Sequence, residues 1–248
     1  MFKKILLKLS GEALAGDIGD KNDKSEKLGF APKVIDRIVD EIVEVKKAGT
    51  EVCLVVGGGN IWRGRDAQPF MNRARADAMG MTGTIINGMY LEEVFRSKGV
   101  KAVVMTPFVY GAVTELYSVA KANEYLEKGY VLIFSGGLGH PYFSTDTIAV
   151  VRACELECDA VLYAKVVKGV YDSDPNDNHN AVKFDNLTYD EVIEKDLKAI
   201  DLAAMVLCNE RKMPSIAFDL NEKNSIIIAS RNNDEIFEIG TRISFEKK

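Results

Sequence analysis

Short apolar runs, nearly free of polar interruption, recur along the chain at Ile5 to Leu9, Val52 to Val56, Ala102 to Met105, Val131 to Phe134, Ala160 to Tyr163 and Ile216 to Phe218. Runs of this length suit strands buried on both faces, because a half-exposed strand would alternate apolar with polar residues. The stretches between them carry helical spacing. Lys33 to Ala48 follows Pro32, a residue suited to the first turn of a helix, and sets Val34, Ile38, Ile42 and Val45 in one apolar stripe. Further helices are expected over Arg73 to Lys98, Ser118 to Lys128, Thr147 to Glu157 and Tyr189 to Arg211, the last broken near Lys195. Strands alternating with helices predict an α/β fold with a mostly parallel sheet and helices on both faces. Such sheets bind ligands beyond the carboxyl ends of their strands, where helix N-termini point backbone N–H groups outward. Two polar stretches, residues 16–29 and 172–180, read as exposed loops.

Composition narrows the function classes. With 47% apolar and 28% charged residues over 248 positions the chain reads as an ordinary globular protein, long enough for one large domain or two small ones. A net charge of −5 argues against general nucleic-acid affinity, which needs a concentrated excess of Lys and Arg, so an anionic ligand must be held locally. No apolar run approaches the roughly 20 residues a membrane helix needs, and the opening MFKKILLKLSGEA is too short and too soon charged for a secretory signal. A cytoplasmic location without membrane contact is expected. Cys53, Cys154, Cys158 and Cys208 lie in apolar segments and read as core thiols. Cys154 and Cys158 are one helical turn apart, but neither a histidine nor a second close cysteine pair lies near them in sequence, so no metal site is expected there.

The loops after the strands carry the chemistry. Lys8-Leu9-Ser10-Gly11 can offer an ammonium, a hydroxyl and bare backbone N–H groups to one polyphosphate, although alone it reads more simply as a surface lysine before a turn. Gly57-Gly58-Gly59-Asn60, followed by Trp62-Arg63-Gly64, costs backbone entropy that a fold tolerates best where something approaches the main chain closely. The run matches neither the dinucleotide pattern nor the P-loop. Residues 135–146 (SGGLGHPYFSTD) lead into a helix near Thr147, with Ser144, Thr145 and Asp146 where capping is needed. Capping alone does not ask for so much glycine; a loop of this length can wrap an anionic ligand, and Asp146 suits holding Mg²⁺ or orienting lysines around a transferring phosphoryl.

Other candidates are weaker singly. Lys165 ends a strand, and Tyr171 and Asp174 follow in a turn-rich segment where they could meet the base and sugar of a nucleotide. Arg73 and Asp77 open a helix; Asp77 is either a solvated acid or an acceptor for ribose hydroxyls. Asp201, within AIDLAAM, is either exposed or paired with a site lysine, since an unpaired charge in a core is costly.

In order and spacing, KLSGEAL, VVGGGNIWRG, MNRARADAMGM, GHPYFSTDT, GVYDSDP and IDLAAM together resemble the motifs of bacterial uridylate kinases of the amino-acid-kinase family, over nearly the whole chain. The resemblance implies a single amino-acid-kinase domain over residues 1–248, a three-layer sandwich around a mostly parallel eight-stranded sheet. The acceptor side would lie mainly in the N-terminal part and the ATP side mainly in the C-terminal part. It further implies a homohexamer converting UMP and ATP to UDP and ADP, with Mg²⁺ held mainly through the ATP phosphates and GTP and UTP as candidate effectors. Carried onto this chain, Lys8, Leu9, Ser10, Gly11, Gly59, Arg63, Lys165, Tyr171 and Asp174 would bind ATP. Gly58, Asp77, Leu138, Gly139, His140, Pro141, Tyr142, Phe143, Ser144 and Thr145 would bind UMP, and Lys8, Arg63, Asp146 and Asp201 would be catalytic. The chain departs from the family's G-T-G-N-P at Leu138 and His140, and carries Lys168 where an Asp is usual. Its 16–29 loop, where many members meet activating GTP, is long.

Direct in-line transfer is the expected mechanism, because phosphoryl transfer rests on positioning and electrostatics and an attacking phosphate oxygen is already anionic. No Ser-His-Asp or Cys-His arrangement is evident, so neither His140 nor His179 need be catalytic. Competing readings are a kinase of a small carboxylate or carbamate, a regulatory protein that keeps the fold without the activity, and a dinucleotide oxidoreductase, which the glycine spacing disfavours.

Overall fold

The computed structural model describes residues 1–15, 29–175 and 177–246, so the expected loop over 16–29 lies, except for Gly29, outside the described residues. The six apolar runs all form strands: β1 (Lys4–Leu9), β2 (Glu51–Val56), β3 (Ala102–Thr106), β5 (Val131–Phe134), β6 (Ala160–Lys165) and β10 (Ser215–Asp219). To these the structure adds β4 (Glu115–Leu116), β9 (Asn186–Thr188) and β11 (Gly240–Ser244), giving a nine-stranded sheet in the order β4-β3-β5-β2-β1-β6-β10-β11-β9. The described sheet therefore has nine strands where eight were expected. Every neighbouring pair is parallel except β10 with β11. A separate antiparallel ribbon joins β7 (Val170–Tyr171) to β8 (Lys183–Phe184).

The helices are α1 (Gly11–Ala15), α2 (Pro32–Lys47), α3 (Arg73–Ser97), α4 (Val119–Glu127), α5 (Thr145–Glu155), α6 (Tyr189–Glu194), α7 (Leu202–Arg211) and α8 (Ser225–Arg231). Alternation along each strand divides the core into two layers. Ile5, Leu7 and Leu9 of β1 and Leu162 and Ala164 of β6 pack with Ile35, Ile38 and Ile42 of α2 and with Leu91 and Phe95 of α3. Leu6 of β1 and Val161 and Tyr163 of β6 face the other way, against Ile148, Ala149 and Val150 of α5 and Ala204 and Cys208 of α7. Continuous apolar runs follow directly, since both faces of the central strands are covered by helices. The four cysteines are free thiols, as the composition implied.

Helix ends agree with local chemistry. Ser118 and Ser144 accept from the N–H groups of Lys121 and Thr147 at 3.2 Å, and Thr188 forms a capping box with Glu191. Because Ser144 is the cap, α5 begins at Thr145 rather than Thr147. The break expected near Lys195 is a full gap, from Lys195 to Asp201, between α6 and α7.

Candidate active site

Strand parity puts two lysines on one face. Lys8 follows Leu6 by two residues in β1, and Lys165 follows Tyr163 by two in β6, so both project from the α5 face at neighbouring strand ends. Between them stands Asp146, in the first turn of α5. Its Oδ1 lies 2.8 Å from Lys8 Nζ and its Oδ2 3.2 Å from Lys165 Nζ. All three side chains are largely buried, with 8% of Lys8, 12% of Asp146 and 19% of Lys165 exposed, so the charges are only weakly screened. Burial pushes the Asp146 carboxyl up, but the two ammoniums outweigh it and hold the carboxyl below the usual aspartate range. Burial pulls the Lys165 ammonium down, helped by Lys8 and opposed by Asp146. The arrangement is a net-positive cluster at the carboxyl edge of the sheet, suited to an anionic ligand.

Asp201 corrects an expectation, since it is neither fully exposed nor, among the described residues, paired with a lysine. It is the N-cap of α7, and its carboxylate accepts from Ser144 Oγ at 2.7 Å, Thr147 Oγ1 at 2.6 Å and Ala203 N–H at 3.3 Å. Its own N–H reaches Asp146 Oδ2 at 3.4 Å. Hydroxyls and backbone N–H groups satisfy the charge, and the residue braces the start of α5.

The two glycine loops meet backbone to backbone. A Cβ on Gly11 would stand 2.5 Å from Gly59 N, and one on Gly57 would stand 2.8 Å from Gly11 N. Ser10 Oγ accepts from Ala13 N–H at 3.1 Å and so caps α1. Arg63 pairs with Glu12 and donates from Nε to Gly59 O at 3.4 Å. Gly58 packs on α3, where a Cβ would meet Gly80 O at 2.7 Å and Thr84 N at 3.0 Å. Both obstacles are main-chain atoms of a helix, which cannot swing aside. Gly58→Ala is therefore expected to destabilise the fold by about 1–3 kcal/mol, the usual cost of forcing extra volume into a packed site. A urea denaturation midpoint equal to that of the unmodified protein would show that the loop has more room than this.

A pocket of about 150 Å³ lies between α3 and the loop before α5, lined by Gly58, Trp62, Asp77, Met81, Thr84, Gly137, His140, Pro141, Tyr142, Phe143 and Thr145, among others. Asp77 sits at its wall with 15% of its side chain exposed; Arg73 Nε donates to its Oδ1 at 2.8 Å and Tyr142 N–H to its Oδ2 at 3.0 Å. The carboxylate is thus neither unpaired nor the solvated first-turn acid considered from sequence. Tyr142 holds a left-handed φ of 72°, and Gly136, Gly137 and Gly139 lie at 77°, 65° and 79°, so the glycines serve a loop that coils tightly over the pocket. Tyr142 and Phe143 are 71% and 53% exposed at its mouth. Leu138 turns partly into the α5-side core, whereas His140 is exposed at the pocket rim.

The structure thus gathers Lys8, Lys165, Asp146 and Asp201 in one network, and Gly58, Asp77 and most of 138–145 around one pocket. Tyr171 and Asp174 are not among the residues that line that pocket. Tyr171 belongs to the β7–β8 ribbon, and Asp174 O accepts from Asp177 N–H at 3.1 Å and Asn178 N–H at 2.8 Å in the following turn. Lys168 is engaged by Glu222 at 2.6 Å. Sequence reasoning missed three contributors: Glu12 on Arg63, Thr84, whose Oγ1 accepts from Gly136 N–H at 2.7 Å, and the fully buried Asn87. Apolar residues are spread around α3, with Met79 and Ile86 exposed, so no sequence stripe set the last two apart.

Comparison with known proteins gives one consistent picture. Residues 3–219 match the model of the amino acid kinase family. The chain is 44% identical over 242 residues to a protein of Streptomyces avermitilis named uridylate kinase, covering 97% of this chain and 91% of that one. In three dimensions it resembles the crystal structure of UMP kinase from Bacillus anthracis, with a TM-score of 0.90 and 36% identity, covering 99% of this chain and 97% of that one. The UMP kinase of Ureaplasma parvum superposes with a TM-score of 0.86 at 34% identity, covering 98% of both chains.

Proposed function

The chain belongs to the amino acid kinase family, among its uridylate kinases, and we propose that it moves the terminal phosphoryl of ATP onto UMP by direct in-line transfer. The observation that carries the mechanism is the Lys8–Asp146–Lys165 cluster, two buried ammoniums held by one carboxylate at a helix N-terminus. Lys8 and Lys165 face the ATP phosphates and spread the charge that develops on the transferring group. Asp146 keeps the two ammoniums from repelling one another and fixes their direction. Asp201 acts one step removed, by bracing Asp146 and the cap of α5. The UMP phosphate attacks through an oxygen already anionic, so no general base is needed.

Ser10, Gly11, Gly59 and Arg63, with Leu9 beside them, complete the phosphate cradle, and Tyr171 and Asp174 take the adenosine. Gly58, Asp77 and residues 138–145 hold UMP. With Leu138 turned partly towards the core, the loop's backbone N–H groups carry more of that contact. Mg²⁺ fits this donor set only as a guest of the nucleotide, because the described residues contain no group of three or more His, Cys, Asp or Glu that could hold a metal, and both Asp146 oxygens face lysines. Bound through the ATP phosphates, it would neutralise negative charge on the transferring group. The chain works as one domain, acceptor side mainly N-terminal and ATP side mainly C-terminal, in a cytoplasmic homohexamer with GTP and UTP as candidate effectors.

A coupled ADP-release assay with UMP, CMP, N-acetylglutamate and carbamate tests the acceptor, with GTP and UTP titrated in. UMP is expected to be the preferred acceptor. Turnover with carbamate or N-acetylglutamate but none with UMP would overturn the assignment.

A further inference from the structure

Asn87 is fully buried in the middle of α3, a position where an amide is costly unless every bond it makes is satisfied. Its bonds all leave the helix for the triglycine loop. Nδ2 donates to Gly57 O at 2.6 Å and to Asn60 Oδ1 at 2.8 Å, while Oδ1 accepts from Asn60 Nδ2 at 3.1 Å. Asn60 Nδ2 also donates to Gly29 O at 2.8 Å. The two side chains form a reciprocal amide pair whose four N–H bonds are all used, two within the pair and two on the main chain at Gly57 and Gly29. One turn earlier on the same helix, Thr84 bonds the N–H of Gly136 at 2.7 Å. Glycines let α3 come this close: a Cβ on Gly83 would meet Ile61 at 3.3 Å, and one on Gly88 would meet Ser135 Oγ at 2.3 Å. One helix thus grips both glycine loops, Asn87 the loop after β2 and Thr84 the loop after β5.

We propose that Asn87, through its amide pair with Asn60, is a positioning residue that fixes the triglycine loop at the distance from the loop after β5 that phosphoryl transfer requires. The claim rests on the reading of these loops as the two sides of a phosphoryl-transfer site. Main-chain contacts seat the glycine loop, with Gly57 N–H donating to Leu9 O at 2.8 Å and Gly58 packed on α3, but the loop's glycines have no side chains, and the amide pair adds the side-chain anchor that ties Gly57 and Asn60 to α3. Reaction depends steeply on such placement, because misplacing reacting groups by about 1 Å can cost 10²-fold in rate while leaving contacts to each substrate largely intact.

The test compares Asn87→Asp, which keeps the size but loses the donors, with Asn60→Ala on the partly exposed partner. Ile85→Val, fully buried on the same helix, serves as a control for loss of packing alone. Steady-state kinetics with UMP and ATP, alongside thermal denaturation, should show kcat lowered by about tenfold or more in both Asn variants, with KM for each substrate within about threefold of wild type. Ile85→Val should lower Tm without lowering kcat. The proposal is overturned if Asn60→Ala keeps wild-type kcat, or if kcat falls with Tm along the same line in Ile85→Val as in the Asn variants. The wild-type rate in the same assay tests the phosphoryl-transfer reading itself, so a loss confined to the variants belongs to the positioning claim.

Discussion

Lys8→Ala is expected to lower kcat by roughly 10²-fold or more, the scale on which other preorganised electrostatic stabilisers act. The argument starts from the strand. Parity in β1 aims Lys8 at the α5 face, its ammonium is held 2.8 Å from Asp146, and only 8% of its side chain is exposed. In so dry a place a positive charge meets developing phosphoryl charge with little screening, and it needs no reorganisation at the moment of transfer. Removing it leaves Asp146 still paired with Lys165 at 3.2 Å, so the fold should suffer far less than the chemistry. Kinetics and denaturation together check this, with kcat collapsing while the urea midpoint stays near that of the wild type. Near-normal turnover in an ADP-release assay would sink the assignment of Lys8.

How much of this could be read from sequence depended on what made each element. The six central strands were legible within a residue or two, because burial on both faces leaves an unbroken apolar run. The strands that escaped notice are short or polar. β4 and β7 are two residues each, too brief for any period to register, and β11 reads Gly-Thr-Arg-Ile-Ser at the antiparallel side of the sheet. α1 and α8, of five and seven residues, are likewise shorter than a helical stripe needs. In the site, Lys8 and Asp146 were legible as strand-end and cap residues, with Asp146 expected to orient lysines, whereas the bridging of Lys8 and Lys165 by its two oxygens follows from the register of β1 beside β6 and the placement of α5. Asp201 shows the limit most plainly. Sequence offered it water or a lysine, and the fold supplied the hydroxyls of Ser144 and Thr147, more than fifty residues away in the chain. Leu138, a departure from the family pattern, is accommodated because the fold gives its side chain a place against the core.

Asp146→Asn tests the centre of the network, and both activity and stability should fall. An amide cannot balance two ammoniums, so Lys8 and Lys165 are left largely buried and facing like charge, and kcat is expected to drop by about 10² or more. Taking one partner out of a buried ion pair typically costs about 3–5 kcal/mol, and the partial exposure of Lys165 puts this site at the lower end, roughly 3 kcal/mol near neutral pH. The pH dependence has a definite sign. The Asp146 carboxyl is held below its unfolded value of about 3.9, so its contribution is fully present above that pH and is lost as pH falls through the folded value. The Lys165 ammonium is instead pulled below its unfolded value of about 10.4, and without Asp146 it falls further, so the variant regains stability as alkaline pH removes that proton. The gap between wild type and Asp146→Asn should therefore be widest near neutrality and narrow at both ends. Urea midpoints from pH 3 to pH 10 read this directly. A gap that stays constant over that range would mean that the carboxylate is not the group holding the two lysines together.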